Sequence, residues 1–545
     1  MVLMSMGLLL ALTQAIAADA AAAGRSRVSI TRMDAPDAQA NHLRADIEAL
    51  ASEEFGGRAL GSPGADKAAA FVEARFRELG LEPAPGIGYQ QQFPVRLNLK
   101  LPEAAAQNGA SVAGPASRSN WTLHKDFLPL PFSANGKWKD APLVFAGYAI
   151  HAPELGYDDF QSIDVRGKVV IAFRREPQER KADSRFVGLD FTAHASFAAK
   201  ARAVAQRGAK ALLIVTNRLP AEEESELPAF AGTTGPAQLP IPVVAVRASA
   251  IAPFFTEQGL SLSALQRRID DTGAPQSFAF PAAYRMSISV RIDGQSAKGG
   301  NVLGWLPGHP SNGDYVVVGA HFDHVGRGER FSMEGGPSGK LHPGADDNAS
   351  GVAAMLELAR LLSRRHRDGR PPSRSILFVA FGGEEHGLFG SAHFLHQQPV
   401  PGRRLAGMIN FDMVGRLRNE ELFMAGLDSV PEIRELANSA ANSAGLSLQA
   451  LPEYPYNMSD HGTFLDAGVP AVLFFTGLHL EYHTPRDTAD RVDENGIARI
   501  LKVAEALLAA MTAVENPLRF QGGANPAYER SFREAVLPPN PYDFE

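Results

Sequence analysis

The chain has 545 residues, enough for two or three domains, and its 45% hydrophobic and 21% charged residues indicate a globular protein with sizeable cores. The formal net charge of −7, without any long basic block, argues against nucleic acid, whose phosphates need clustered Lys and Arg. Cysteine is absent, which excludes disulfides and thiolate metal sites and leaves His, Asp and Glu to hold any metal.

In chain order, residues 8–18 (LLLALTQAIAA) form a short apolar run followed by small residues. Although no Lys or Arg precedes it, residues 1–23 read as a signal peptide cleaved between Ala17 and Ala23, which predicts a periplasmic or extracellular protein. The run is too short for a stable membrane span, and no cysteine follows it to carry a lipid anchor. Residues 42–81 read as two helices around the break FGGRALGSPG, and a Pro- and Ala-rich stretch follows from 83 to 131. Residues 42–135 are assigned to the N-terminal part of the main domain.

Between 141 and 280, strand-like runs at 142–149, 168–173, 211–215 and 241–246 surround a helical segment at 194–206. This reads as a β-rich inserted domain without a candidate metal cluster. From 286 the text alternates buried strands with helices. Residues 286–292 and 301–307 suggest a hairpin or paired strands, 314–320, 375–381, 405–411 and 471–475 further strands, and 351–362 and 496–514 amphipathic helices. The fold class expected is therefore α/β, a mostly parallel mixed sheet flanked by helices with a β-rich insert. The main domain is placed at 286–515 and a Pro- and Gly-rich extension at 516–545.

Five candidate ligands recur at the ends of these elements. His321 follows YVVVGA, Asp347 lies in GADDNASG at the opening of a helix, Glu385 follows SILFVAFGG, Asp412 follows GMINF, and His483 comes shortly after AVLFF. Sites in open α/β sheets form beyond the carboxyl ends of the strands, so topology offers these residues a meeting point. Two imidazoles and three carboxylates suit a pair of zinc ions, with manganese or cobalt as alternatives. Glu384, beside Glu385, stands where a general base is wanted. Each piece has an ordinary reading too: GADDNASG as a helix cap, GGEEHG as an acidic helix start, HTPRDT as a proline turn. Five such coincidences at strand ends favour one site. The GGPSGK run at 335–340 lacks the ending and preceding strand of a phosphate loop and is discounted.

The motifs GAHFDH, GADDNASG, GGEEHGLFGS, NFDMVG and YHTPRDT resemble those of the co-catalytic di-zinc aminopeptidase family, whose wider superfamily includes glutamate carboxypeptidase-like members. The resemblance covers roughly residues 42–515, and the insert, with GYAI, VRGKVVIAFR and GAKALLIV, is similar to a protease-associated domain. It implies a zinc-peptidase, phosphorylase/hydrolase-like fold. It also implies His321 and Asp412 on one zinc, Glu385 and His483 on the other, and Asp347, rather than Asp346, across both, with a cis peptide after Asp347. Asp323 would orient His321, Glu384 would be the general base, Tyr482 would donate to the oxyanion, and Asp487 would support a ligand histidine. His461, in SDHGTF, is a candidate substrate contact, and His324 is expected to meet substrate or solvent.

The leading expectation is a secreted metallo-aminopeptidase acting on peptide substrates with two zinc ions. Alternatives are a carboxypeptidase or dipeptidase of the same architecture, using Arg416 or Arg486 for the substrate carboxylate, a one-zinc glutaminyl cyclase, or a non-enzymatic binding protein. Met458, Phe464, Phe474 and Phe475 are candidates for an apolar side-chain pocket or for core.

Overall fold

The computed structural model describes residues 36–179, 181, 183–186, 193–195, 197–216, 227, 230, 240–309, 313–328, 331–334, 338–397, 400–451, 459–513, 518 and 520. The expected signal peptide and nearly all of the 516–545 extension lie outside the described residues. No helix among the described residues is long and apolar enough to cross a membrane.

The central sheet follows from its sequence. Tyr315–His321 (YVVVGAH) and Ser375–Phe381 (SILFVAF) are apolar at nearly every position because both faces are covered. Alternate residues point to opposite sides. Val316, Val318, Ile376 and Phe378 join one core, while Val317, Leu377 and Val379 join the other. The first core is closed by the helices Pro36–Leu50, Pro63–Glu78, Gly351–Arg367 and Glu494–Ala513. The second is closed by the shorter helices Phe389–His396 and His461–Asp466. The result is three layers, helices on both faces of an eight-stranded mixed sheet.

The four strands Ser375–Phe381, Tyr315–His321, Leu405–Phe411 and Ala471–Phe475 are parallel neighbours, so their carboxyl ends share one edge. Three antiparallel pairings extend the sheet, two of them through Asp293–Leu306. The hairpin expected between 286–292 and 301–307 is not formed. Arg285–Val290 pairs instead within the second sheet, whereas Asp293–Leu306 pairs with Gln90–Lys100 and Ser375–Phe381. The short link between the two runs carries the chain from one sheet to the other rather than reversing it.

The second sheet has nine strands and draws on Gly109–Ala113, Arg118–Trp121 and Phe127–Pro129, upstream of the limit set at 141 from sequence. Those strands are only three to five residues long, too short to show a period, which is why the stretch reads as irregular. Chain entry and exit use the antiparallel ribbon Gln90–Lys100 and Asp293–Leu306, paired from Gln90↔Val302 to Lys100↔Asp293.

Candidate metal centre

The parallel strand ends deliver the site. His321 is the last residue of its strand, Asp412 directly follows Leu405–Phe411, and Glu384 and Glu385 lie just beyond Ser375–Phe381. His321 Nδ1 faces the Asp323 carbonyl oxygen at 3.2 Å. That leaves Nε2 turned to the carboxylates, 3.3 Å from Asp412 Oδ1, 3.4 Å from Asp347 Oδ1 and 4.0 Å from Glu384 Oε2.

Asp347 points its other oxygen the opposite way. Its Oδ2 lies 3.0 Å from His483 Nε2 and 3.7 Å from His324 Nδ1. Glu385 completes that side, with Oε2 3.1 Å from His483 Nε2 and Oε1 2.8 Å from His324 Nδ1. The candidate ligands thus fall into two groups, His321–Asp347–Asp412 and His324–Asp347–Glu385–His483, with ligand atoms in each group within 4.8 Å of one another. Asp347 is shared. The Asp347–Asn348 peptide is cis. Asp346 turns away, accepting from the Gly415 amide at 2.6 Å and the Ser350 hydroxyl at 3.0 Å, with Oδ2 3.2 Å from His479 Nε2.

Burial opposes ionisation of Asp347, but its imidazole partners His321, His324 and His483 outweigh that and hold its pKa well below the ordinary carboxylate range. Burial likewise works against protonating His321 and His483, yet the surrounding carboxylates drive both well above the usual histidine value. Glu384 moves the other way: burial, then the charges of Glu385, Asp412 and Asp460, raise its pKa well above normal. Carboxylates crowded in a buried site without enough cationic partners carry a large electrostatic cost. A divalent cation would supply the missing charge, and an all-imidazole and carboxylate donor set fits zinc.

Residues 301–508 match the sequence profile of peptidase family M28, and residues 139–253 match that of the PA domain. The catalytic unit is a family M28 peptidase. The chain is 26% identical over 487 residues to the aminopeptidase YwaD of Bacillus subtilis, covering 87% of this chain and 84% of the relative. It is 25% identical over 517 residues to the probable lipoprotein aminopeptidase LpqL of Mycobacterium tuberculosis, covering 88% and 84%. Among solved structures, an aminopeptidase from Aneurinibacillus sp. strain AM-1 aligns at 22% identity and a TM-score of 0.44, over 89% of this chain and 96% of that one.

Several residues of this M28 peptidase sit differently from expectation. The Asp323 carboxylate stays 3.9 Å from His321 Nδ1, and Oδ1 instead accepts the Glu384 amide at 3.1 Å. Its carbonyl rather than its carboxylate makes the orienting contact. Asp487 touches no ligand histidine. Its oxygens accept the amides of Asp346 and Asp347 at 3.0–3.1 Å, because two successive N–H groups point the same way there. His461 is 1% exposed, and burial alone pushes its pKa down to about 3, so it is a neutral packed imidazole and not an open substrate contact. Tyr482 stacks on His483, ring centroids 3.8 Å apart. Burial and the nearby carboxylates hold its phenol well above the usual pKa, keeping it a donor.

Three buried residues differ from the sequence reading, one misplaced and two without a role. His324 was expected at solvent or substrate but is 0% exposed and lies against Glu385. Its spacing of three from His321 was visible, but the turn that folds it back was not. Asp460, 0% exposed, senses the charges of Asp323, Asp412 and His321, and burial pushes its pKa up to about 7. In SDHGTF it is adjacent to His461, the more conspicuous candidate. Arg58, also 0% exposed, lies in FGGRALGSPG, which the sequence marks as a break between helices without giving its arginine a role.

Of the apolar candidates, Phe464 and Phe474 are core, and Met458 lies outside the described residues. Phe475 joins Met413, Ala425 and Leu473 in a small cluster, with Phe423, Leu451 and Tyr482 partly buried against it. That cluster adjoins Asp412 and His483 in sequence through Met413 and Tyr482.

Proposed function

We propose that this M28 peptidase removes N-terminal residues from peptides, using two zinc ions and Glu384 as general base. The observation that carries the reading is Asp347, whose two oxygens face different donor groups while Glu384 stands beside His321. His321 and Asp412 would hold one ion, Glu385 and His483 the other, and Asp347 both. When bound, such a pair supplies Lewis acidity and lowers the pKa of a water between the ions.

The chain's own groups then perform the remaining tasks. Glu384 takes the proton of the attacking water and returns it to the leaving amine, a task suited to a carboxylate standing beside the donor groups. The Tyr482 phenol donates to the developing oxyanion. Asp323 fixes the amide of Glu384, and Asp487 fixes those of Asp346 and Asp347. A free α-amine is attracted by Glu384, Asp412 and Asp460. The Met413–Phe475 cluster favours an apolar first side chain. The leader-like segment supports secretion, with extracellular or periplasmic peptides as substrates.

The carboxypeptidase alternative loses one of its two arginines. Arg416 NH2 lies 3.3 Å from Asp487, and NH1 3.8 Å from Glu481, with the side chain only 13% exposed. Arg486 is more exposed but sits 3.5 Å from Glu334.

Substrate blocking tests the reading. C-terminal amidation is expected to leave peptide hydrolysis unchanged, N-terminal acetylation to abolish it, and leucyl anilides to be cleaved faster than lysyl anilides. Chelation should stop turnover, zinc should restore it, and metal analysis should count two ions per chain. Hydrolysis of acetylated but not amidated peptides would move the enzyme to the carboxypeptidase class. Full activity in chelator would end the metal mechanism.

A further inference from the structure

Arg58 lies in the break between the first two helices, far in sequence from every candidate ligand, yet it is completely buried beside the metal centre. Its guanidinium donates four hydrogen bonds, all to main-chain carbonyls. Nε reaches Phe322 O at 2.8 Å, NH1 reaches Leu50 O at 2.5 Å and Pro343 O at 2.7 Å, and NH2 reaches Gly344 O at 2.8 Å. Phe322 directly follows His321, and Pro343–Gly344 leads into Asp347. One planar fork therefore joins the loop of one candidate ligand to the loop of the shared carboxylate. The backbone adds to the clamp. The Arg58 carbonyl accepts the His324 amide at 3.2 Å, and the Gly57 carbonyl accepts the Gly326 amide at 3.0 Å. Contact here is so close that a Cβ on Gly57, at φ +73°, would lie 2.2 Å from Gly326 O.

The choice of an arginine at this place needs a reason. A buried cation beside a cation-binding site is electrostatically adverse to metal, so charge alone does not explain it. Burial lowers its pKa to about 10, but the charges of Asp347, Asp487, Asp323 and Glu385 help keep it protonated at neutral pH. A rigid fork with several donors can tie separate carbonyls together in a way that a lysine ammonium on a flexible stem cannot.

We propose that Arg58 is a positioning residue of the metal centre, locking the His321 loop to the Asp347 loop so that the two donor groups keep their spacing. The proposal rests on the two-zinc reading above. Arg58→Met removes the fork and the charge, Arg58→Lys keeps the charge without the fork, and Gly57→Ala displaces the segment with the guanidinium intact. Each full-length variant is compared with the unaltered protein by circular dichroism, thermal melting, zinc competition against a chromophoric chelator, and steady-state kinetics at saturating zinc.

All three are expected to weaken zinc binding by about 10–100-fold, the range typical when supports of metal ligands are lost. At saturating zinc, kcat should fall while KM holds. If Arg58→Met fails to fold, the other two variants carry the same test. Recovery of normal zinc affinity by Arg58→Lys would assign the role to charge and overturn positioning. Variants that melt earlier but bind zinc and turn over normally would make Arg58 purely structural and also overturn it. Absence of zinc binding by the unaltered chain would bring down both this proposal and the function above, whereas normal binding by the variants brings down this one alone.

Discussion

Exchange of Glu384 for glutamine is expected to leave the zinc content intact and to lower kcat by about 10²–10⁴-fold, the usual contribution of a positioned general base. The amide is nearly isosteric and can keep the contacts that hold the loop, in particular the main-chain bond from Glu384 N to Asp323 Oδ1. It cannot accept and return a proton. The loss corresponds to about 3–5 kcal/mol of transition-state stabilisation. Zinc analysis beside kcat separates the two functions of the paired glutamates: Glu385→Gln should lose metal, Glu384→Gln should not. An unchanged kcat in Glu384→Gln would remove this residue from the chemistry.

A still larger effect is expected from Asp347→Ala. Both donor groups include this carboxylate, so its removal should weaken both ions by more than about 100-fold, beyond what losing a supporting residue costs. Turnover should be undetectable at ordinary zinc concentrations. Asp346→Asn is the matching control. Asp346 makes its contacts with Gly415, Ser350 and His479 on the other side of the loop, so this variant should keep both ions. Titration of zinc into each variant checks the contrast, and equal loss in the two would reverse the assignment of the bridge.

Much of this centre was legible because its donors follow strands whose burial on both faces forces long apolar runs. YVVVGA and SILFVAF mark their own ends, and parallel topology brings those ends together. Sheet order was less legible. The runs at 286–292 and 301–307 look like partners, but pairing depends on residues far away, and each found a different sheet. Helices such as Leu262–Thr272 and Pro431–Ser443 also went unassigned, although Ser261 and Pro431 are ordinary start signals. Among side chains, the residues missed are those defined by tertiary contact alone. Arg58 meets Phe322 across 264 positions and Gly344 across 286, and no local pattern encodes either meeting. Asp323 and Asp487 were found as residues but not as contacts. Their motifs indicate that a carboxylate is wanted, not whether it binds an imidazole or an amide.

The ribbon through which the chain leaves and re-enters the central sheet sets a timetable for biosynthesis. Gln90–Lys100 waits for Asp293–Leu306, and the second sheet, made of the intervening residues, emerges first and has mostly its own partners at hand. At about 5–20 residues per second, the 286 positions between Arg58 and Gly344 take roughly 15–60 s to translate. Throughout that interval the N-terminal helices have synthesised apolar faces but no sheet to cover, and the guanidinium has none of its distant carbonyls. The nascent catalytic half is therefore exposed to chaperones and proteases until its later strands, out to Ala471–Phe475, have also been made, while the intervening sheet is free to fold ahead of it.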